Sequence, residues 1–437
     1  MVPIWFSIIV GIAALILGYL FCRGSISRVA VLSLFSVALI PLLPGFTEQR
    51  QPQIIALILV TGSLLCSAFV TAKERHVSPK LAFVWLTTIS TLSFLTVGMI
   101  ETDIFRLLVG LLTATVMALA IMIGSAASPR ELATIRTMLS FLACVAAIIA
   151  IAEFVTKRPF YLYTEFQVPG TTYGVFRASA FLGHPLVLCV LLTCVAVLNL
   201  SGPAHGSRGG KIFQVLSIAL PLAGASASVS RSIYMFVAAG LLGILLARAD
   251  SDRSKILAFA LAAAGAVGSI AMYFGEGFGQ RFGELSAQDQ RIRLGGFDTV
   301  MQITTGHEIV LGAGPKAVAK AFSNNVEGVI YGTVDNQFFT MYAEFGLIGL
   351  ALMVGMFLAL IQGIRSPTLG SWHRSFVLGA IPCAVGFFLM EPVAWPLLSM
   401  VFGIGVGAAR TSHKIADTRL GTPWPKEAPR NHVQMHA

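Results

Sequence analysis

Residues 104–124 read IFRLLVGLLTATVMALAIMIG, an apolar run of 21 residues with one charge, Arg106. A helix needs about 20 apolar residues to cross the hydrocarbon core of a bilayer, which is roughly 30 Å thick. The run is continuously apolar, whereas a strand of a membrane barrel would alternate apolar and polar residues. It therefore predicts a membrane-spanning helix, and much of the chain repeats its pattern.

The composition extends this prediction to the whole chain of 437 residues. Apolar types make up 56% of it, charged types 11%, and the mean hydropathy is +0.81. A soluble domain carries about 25% charged residues. A soluble enzyme, a disordered chain and a fibrous repeat are therefore excluded. The six cysteines lie within or at the ends of apolar runs, which favours buried packing residues over disulfides or a metal site.

We expect an all-α, polytopic inner-membrane helix bundle of about 13 transmembrane helices (12–13) with one large periplasmic loop that contains short amphipathic helices. The predicted spans are 3–22, 29–46, 53–72, 81–100, 104–124, 138–156, 180–200, 212–230, 232–248, 256–274, 337–363, 375–390 and 394–410.

Charge predicts the orientation. The odd-numbered loops and the C-terminal tail hold 19 of the 30 basic residues and 6 of the 20 acidic ones. The even-numbered loops hold the other 11 basic and 14 acidic residues. Because positive loops stay in the cytoplasm, the odd loops and the C-terminus are predicted to be cytoplasmic and the N-terminus periplasmic. The net charge of +10 is interpreted in the same way, with no nucleic acid as a partner.

The chain is predicted to be one integral membrane domain, 1–437, with a large periplasmic loop at 275–336 and a short cytoplasmic tail at 411–437. Loops of this length are often functional. Part of the large loop has the residue pattern of an amphipathic helix, which we expect to lie against the membrane domain. The residues that recur there at helical spacing on one face are Leu294, Phe297, Val300, Met301 and Thr304.

Four polar patches fall on the predicted periplasmic side. They are Arg177 to Pro185, with His184; Ser226 to Ser232, with Arg231; Arg291 to Gly314, with Arg293 and His307; and Asp335 to Gly349, with Asn336 and Glu344. No Walker loop, dinucleotide fingerprint, zinc spacing or DxD-like pair occurs in the sequence. An enzyme of this kind needs a substrate that is already activated, such as a lipid-diphosphate sugar.

In their order and spacing, these patches resemble the O-antigen ligase and polysaccharide polymerase family over roughly 170–360. Members show an Arg and a Gly-[His/Asn]-Pro stretch, a Ser-Arg step, a large periplasmic loop with an Arg and a Gly-x-Gly turn, and a closing motif. The ligase closing motif is His-Asn, nine residues, Gly, two residues, Gly. Asn336, Gly346 and Gly349 keep that spacing, but Asp335 replaces the His.

The resemblance implies a metal-independent, cofactor-free, inverting glycosyl transfer in the bacterial inner membrane, with a glycan on undecaprenyl diphosphate as donor. A chain-length regulator and a flippase of the same pathway are the implied partners. Arg suits a diphosphate because its planar fork binds bidentately and keeps its charge. The resemblance implies catalytic roles for Asp335, Arg231 and Arg291, and substrate-binding roles for Arg177, His184, Arg293, His307, Asn336 and Glu344.

Each of these residues also has a structural interpretation. Arginines at the ends of membrane helices commonly reach the headgroups. Asp335 suits a helix N-cap, His184 suits a helix start, and the glycines suit turns and close packing. Arg291 and Arg293 compete for one role, because the family pattern does not fix which of them aligns.

Several activities fit the resemblance. Because the ligase motif requires the His that Asp335 replaces, we favour a polymerase of exopolysaccharide or O-antigen over a ligase that moves the glycan to lipid A core. A peptidoglycan polymerase shares the chemistry but uses another acceptor. A flippase or transporter is the non-enzymatic alternative, but such proteins place ionisable residues near the bilayer midplane. The predicted spans carry few charges there.

Overall fold

The structure is a computed structural model that describes residues 22, 24–39, 51–98, 103–160, 171–172, 175–203, 207–230, 232–248, 296, 298–325, 336–366, 369–390, 393 and 395–411. The predicted span 256–274 lies outside these residues, as does the span 3–22 apart from Cys22. The tail beyond Thr411 lies outside them too. The other eleven predicted spans each overlap a described helix.

Helices dominate the described part of the chain. They are α1 (Ile26–Leu39), α2 (Gln51–Glu74), α3 (Lys80–Ser93), α4 (Ile104–Ala126), α5 (Pro129–Thr156), α6 (Pro185–Ser201), α7 (Arg208–Ala227), α8 (Ile233–Arg248), α9 (Glu308–Leu311), α10 (Ala317–Asn325), α11 (Gln337–Arg365), α12 (Ser371–Gly379), α13 (Ile381–Gly386) and α14 (Pro396–Ala409). A π turn, Phe94–Gly98, extends α3, and a 3-10 turn, Ala180–Leu182, precedes α6. A two-residue antiparallel pair joins β1 (Thr171–Thr172) and β2 (Val175–Phe176).

Six of these helices are long and apolar enough to cross a membrane by length and composition: α2, α3 with its π turn, α4, α5, α7 and α11. Four shorter apolar helices, α1, α6, α8 and α14, complete the apolar set in the described residues. The helical, membrane-protein character predicted from the sequence is thereby confirmed. The count of thirteen spans stays a prediction.

Two helices begin at prolines instead of at the predicted boundaries. The Ser128 side chain accepts a hydrogen bond from the Glu131 amide, the Glu131 carboxylate accepts one from the Ser128 amide, and Pro129 opens α5. This capping box starts α5 before the predicted position 138. In the same way, α6 starts at Pro185 and not at 180, since His184 is extended and caps the helix.

Two other predicted spans contain breaks. Residue Gly346 interrupts α11 with φ 62° and ψ −160°, which are not helical. The predicted span 375–390 consists of α12 and α13, which are separated at Ala380. Pro382 in the first turn of α13 explains this second break, because its ring cannot continue a preceding helix.

The middle of α4 forms the centre of the described bundle. Every residue from Val116 to Ile123 is at most 1% exposed. Helices α2, α3 and α14 pack around α4. The contact with α14 is close, because a Cβ added to Gly124 would collide with the carbonyl oxygen of Ile404. Small residues at crossing points are typical of helix packing in membranes.

Polar contacts join the odd-numbered loops to one another. Arg75 pairs with Glu131 at 2.6 Å, and Glu131 also accepts a hydrogen bond of 2.9 Å from the Ile26 amide. The guanidinium carbon of Arg136 lies 5.2 Å from the ring centroid of Trp372. All five residues belong to ends of helices that the charge count assigns to one side, which we call the odd-loop face.

A second set of contacts joins the even-numbered loops. Arg106, at the start of α4, donates a hydrogen bond of 2.6 Å to the Pro315 carbonyl. The Gln337 side-chain oxygen accepts one of 2.9 Å from the Val393 amide. We call this side the even-loop face. The grouping of helix ends agrees with the sidedness that the charges predict.

The predicted amphipathic helix of the large loop is described from residue 298 onward. Residues 298–303 are helical, and Val300 is fully buried against Val318 and Ala343. Met301 was expected on the packed face but is 53% exposed. Leu294 and Phe297 lie outside the described residues.

Candidate functional site on the even-loop face

The predicted site residues divide into two groups. Four of them, Arg231, Arg291, Arg293 and Asp335, lie outside the described residues, so their roles stay predictions. The other five are described. They are Arg177, His184, His307, Asn336 and Glu344.

The first two patches are in contact. The Nε of Arg177 donates a hydrogen bond of 3.2 Å to the carbonyl of Ser228, in the turn between α7 and α8. The amide of the next residue, Ala178, donates one of 3.2 Å to the Ala227 carbonyl. The segment that carries Arg177 is therefore fixed to the turn that leads into Arg231.

A buried carboxylate supports this segment from the end of α5. Glu153 is 0% exposed. Its Oε2 accepts hydrogen bonds from the amides of Ser179 at 3.1 Å and Ala180 at 2.9 Å, and its Oε1 accepts one from Phe160 at 2.9 Å. Because two of these three amides belong to the segment between Arg177 and His184, Glu153 positions that segment. In the sequence, the only indication of this role was that Glu153 is an acidic residue near the end of an apolar helix.

His184 lies at the end of the same segment. Its Nδ1 accepts a hydrogen bond of 3.2 Å from the Leu186 amide, and its ring centroid is 5.9 Å from that of Trp395. Desolvation by the surrounding protein and the charge of Arg177 lower the pKa of His184 from 6.5 to about 4, although the residue retains exposed surface. At neutral pH the ring is therefore uncharged. With Nδ1 as acceptor, the proton belongs on Nε2, which can donate to a hydroxyl or an oxyanion.

The third and fourth patches are also joined. The loop Gly312-Ala-Gly-Pro-Lys316 packs against the residues of α11 that lie just before its break. The amide of Ala313 donates a hydrogen bond of 2.8 Å to the Ala343 carbonyl, and that of Gly314 donates one of 2.9 Å to the Glu344 carbonyl. The Glu344 Oε1 accepts a third, of 2.8 Å, from the Lys316 amide.

This docking requires two glycines of the predicted motifs. A Cβ on Gly312 would collide with the backbone of Glu344, and one on Gly346 would collide with the Val310 carbonyl. Both residues have positive φ, 80° and 62° respectively. The spacing from Asn336 to Gly346 therefore places the helix break where the loop must approach.

Arg106 holds the other side of the loop. It is 4% exposed, and its Nε and Nη2 donate to the carbonyls of Pro315 at 2.6 Å and Ala313 at 2.8 Å. None of the sequence motifs predicted a site role for Arg106. The only available signal was that it is the single charge of the run 104–124.

Asn336 opens α11. Its Oδ1 accepts hydrogen bonds from the amides of Phe338 at 2.9 Å and Phe339 at 3.3 Å, so it caps the helix. The next residue, Gln337, is 2% exposed, and its amide donates to the Phe387 carbonyl at 2.8 Å. Gln337 also binds Val393, two residues from the Trp395 that contacts His184. The start of α11 and the start of α6 thus contact residues that are two positions apart, Val393 and Trp395.

His307 is separate from this arrangement. Its side chain is 62% exposed, and its Nε2 lies 3.6 Å from the Glu308 carboxylate. It directly precedes α9, and the amides of Val310 and Leu311 donate to its carbonyl. Within the described ranges, no hydrogen bond links it to the other four described candidates.

The described ranges contain no group of three or more His, Cys, Asp or Glu residues placed to hold a metal ion. No family model matches the chain, and no curated protein matches it. The likeness to ligases and polymerases therefore rests on the motifs and their spacing alone. What the geometry supplies is a set of contacts that ties the four patches together on one face.

Proposed function

We propose that the chain is a membrane glycosyltransferase that polymerises oligosaccharide repeat units. The donor is a glycan on undecaprenyl diphosphate, the acceptor is a second lipid-linked repeat unit, and the product is exopolysaccharide or O-antigen. The reaction takes place at the periplasmic face, inverts the anomeric centre and uses no metal. The protein lies in the bacterial inner membrane with thirteen spans, a periplasmic N-terminus and a cytoplasmic C-terminus.

The proposal is carried by the connection of the four patches on the even-loop face. Arg177 binds the turn that precedes Arg231, and Glu344 binds the loop that follows His307. Trp395 contacts His184, and Val393, two residues earlier, contacts Gln337. Arg177, His184, Asn336 and Glu344 are therefore each tied by contacts to another of the patches or to a residue that adjoins one, which supports a single site.

The chemistry follows from the residue types. The acceptor hydroxyl attacks the anomeric carbon, a new glycosidic C–O bond forms, and the bond to the diphosphate oxygen breaks. Asp335 takes the hydroxyl proton, and the undecaprenyl diphosphate leaves with the bonding electron pair. Arg177, Arg231 and Arg291 stabilise the negative charge that grows on the leaving group. His184 is neutral and donates a hydrogen bond to a sugar hydroxyl or a phosphate oxygen.

Reconstitution tests the proposal. Purified protein in proteoliposomes is incubated with lipid-linked single repeat units alone, and the products are resolved by mass. We expect a ladder of longer lipid-linked glycans and release of undecaprenyl diphosphate. Asp335→Asn should form no ladder while the protein still folds and inserts.

Other outcomes select other functions. A ligase would form no ladder from repeat units alone and would transfer glycan only when lipid A core is added. A flippase would move the substrate between leaflets without changing its mass. A full ladder from Asp335→Asn would remove Asp335 from the mechanism.

A further inference from the structure

Gln337 is a buried polar residue in the first turn of α11, where it is 2% exposed. Its backbone amide donates a hydrogen bond of 2.8 Å to the Phe387 carbonyl, and its Oε1 accepts one of 2.9 Å from the Val393 amide. Both partners belong to the connection between α13 and α14. Gln337 therefore fixes the start of α11 to that connection.

The contact with Val393 also fixes how the Gln337 carboxamide is turned. The O and N atoms of a side-chain amide are told apart by their hydrogen-bond partners. A backbone N–H can only donate, so the carboxamide atom that faces Val393 must be the oxygen. The Nε2 amino group, with its two N–H donors, is therefore the atom that faces away from Val393.

These two donors have no acceptor in the part of the chain that the structure describes. The buried carboxamide of Asn199, on the odd-loop face, differs. Its Oδ1 accepts from Arg136 at 3.0 Å, and its Nδ2 donates to Ser140 at 2.8 Å and to the Val195 carbonyl at 2.9 Å. Because a buried donor without a partner costs free energy, nearly all such groups are hydrogen-bonded. The donors of Gln337 therefore indicate an acceptor that is not part of the described chain.

The surroundings of Gln337 are apolar, yet a ligand can reach Nε2. The ring centroids of Phe338 and Phe357 are 5.2 Å apart. In a straight helix their Cα atoms would be roughly 28 Å apart, so α11 turns back at Gly346 and Gln337 lies beside its second half. Nε2 is not among the side-chain atoms of the described residues that are both enclosed and unpartnered, so it borders open space.

Two neighbours of Gln337 present donors in the same way. The Oδ1 of Asn336 accepts two backbone amides, and the Nδ1 of His184 accepts one. Each of these side chains uses its acceptor on the backbone and retains N–H donors. Asn336 adjoins Gln337 in sequence, and His184 contacts Trp395, two residues from Val393. Uncharged donors held in this way suit a ligand that is rich in acceptor oxygens.

We propose that Gln337 is a further substrate-binding residue, whose Nε2 donates a hydrogen bond to an oxygen of the lipid-linked glycan. This inference rests on the proposed function. The oxygen belongs either to the diphosphate or to a sugar, since both present lone pairs to a donor.

Binding to the full-length protein in nanodiscs of phosphatidylcholine tests this role. The two probes are undecaprenyl diphosphate and lipid-linked single repeat units extracted from cells that lack the protein. We expect Gln337→Met and Gln337→Glu each to weaken binding of the repeat units about tenfold, the usual scale for one hydrogen bond. Gln362, exposed near the other end of α11, is the matched control, and its Met and Glu variants should bind as the wild type does.

The two variants share only the loss of the donors. Glutamate keeps an oxygen for the Val393 amide and adds a charge, whereas methionine removes the oxygen and adds no charge. A loss with Gln337→Glu alone would be repulsion by the new charge, and a loss with Gln337→Met alone would reflect the structural bond to Val393. Either result would overturn the inference. Should Gln337→Glu fail to fold, wild-type affinity of Gln337→Met still contradicts it.

The remaining outcomes separate the inference from the proposed function. If the wild type binds the repeat units and both Gln337 variants bind them equally well, the inference is wrong and the proposed function stands. A loss for both probes supports the inference and assigns the oxygen to the diphosphate, and a loss for the repeat units alone supports it and assigns the oxygen to a sugar. If the wild type binds neither probe, the proposed function fails and the inference fails with it.

Discussion

His184 and Asn336 each cap the helix that follows them on the even-loop face. His184 accepts the Leu186 amide at the start of α6, and Asn336 accepts two amides at the start of α11. Capping holds a polar side chain at a helix end, where a membrane helix meets the interface. A capping role is therefore compatible with the predicted substrate contacts, because each ring or amide retains polar atoms that the cap does not use.

The pKa of His184 predicts how stability depends on pH. Since the folded-state pKa is about 4 and the ordinary value is 6.5, the unfolded chain binds more protons between these values. The neutral ring therefore contributes stability above pH 6.5, and this contribution is lost as the pH falls toward 4. His184→Asn keeps a side-chain oxygen that can cap α6 but removes the titration.

Thermal unfolding of detergent-purified protein between pH 7.5 and pH 4.5 measures this difference. We expect the melting temperature of the wild type to fall more steeply than that of His184→Asn as the pH is lowered. Comparison of the two proteins cancels the contribution to the melting temperature of carboxylates that titrate in the same pH range. Parallel curves for the two proteins would show that the His184 pKa is not lowered.

The contacts of single side chains in the candidate site could not be predicted from the sequence. The outer acid Glu344 was selected by motif spacing, but its bond to the Lys316 amide depends on a loop that packs only after folding. Arg106 and Glu153 were not selected, because one charge in an apolar run has the same pattern whether it meets lipid headgroups or backbone groups. Their hydrogen bonds link residues far apart along the chain, and no local pattern encodes such a pairing.

At the scale of elements, the break in α11 creates the surface on which the loop 312–316 docks. Gly346 has a left-handed φ, and its Cα lies against the Val310 carbonyl. A helix that continued without interruption would leave the carbonyls of Ala343 and Glu344 inside its own hydrogen-bond ladder. The break makes them available to the amides of Ala313 and Gly314.

Alanine at Gly346 should therefore be costly. The added Cβ would meet the Val310 carbonyl and would impose strain at φ 62°, so we expect a loss of about 2 kcal/mol or more in the free energy of unfolding. Gly355→Ala in the same helix is the control. A Cβ at Gly355 has nothing within 4 Å and should stabilise the helix by about 0.5–1 kcal/mol.

Thermal or denaturant unfolding of both variants in the same detergent checks this prediction. Equal effects of the two substitutions would mean that Gly346 is not required for loop docking. An active Gly346→Ala protein of wild-type stability would contradict the account of the break more strongly.

Helices could be predicted from hydropathy, but their ends could not. The run 104–124 matches α4 closely because it lies between Asp103, which caps the helix, and the extended Ala127. The span 180–200 was placed too early, since hydropathy does not distinguish the 3-10 turn at Ala180–Leu182 from a helix. Pro185 and Pro382 were the local signals that could have corrected two of the predicted boundaries.

At the scale of the whole molecule, helix ends meet in two sets. The Arg75–Glu131 pair belongs to the odd-loop face, and the contacts of Arg106 and Arg177 belong to the even-loop face. The charge count groups the same loops. Because the charge bias is a sum over many loops, it survives errors in single boundaries. Which set of helix ends is cytoplasmic stays a prediction.

Labelling of single cysteines tests which face is cytoplasmic. Ser78 and Thr305 are exposed on the odd-loop and even-loop faces, respectively. In a background without Cys66 and Cys144, the natural cysteines that retain exposed surface, Thr305→Cys should react with a membrane-impermeant thiol reagent in spheroplasts. Ser78→Cys should react only after permeabilisation. The reverse pattern would invert the proposed topology and place the site in the cytoplasm.

We propose that the protein polymerises lipid-linked repeat units, and its loss from the cell tests this proposal. The most direct test is to delete the protein from the organism that carries it, extract the undecaprenyl-linked glycans and measure their chain length by mass spectrometry. We expect single repeat units to accumulate and wild-type protein to restore long chains. Accumulation of long polymer on the lipid carrier would contradict it and indicate a ligase, and an unchanged glycan profile would contradict the glycosyltransferase assignment altogether.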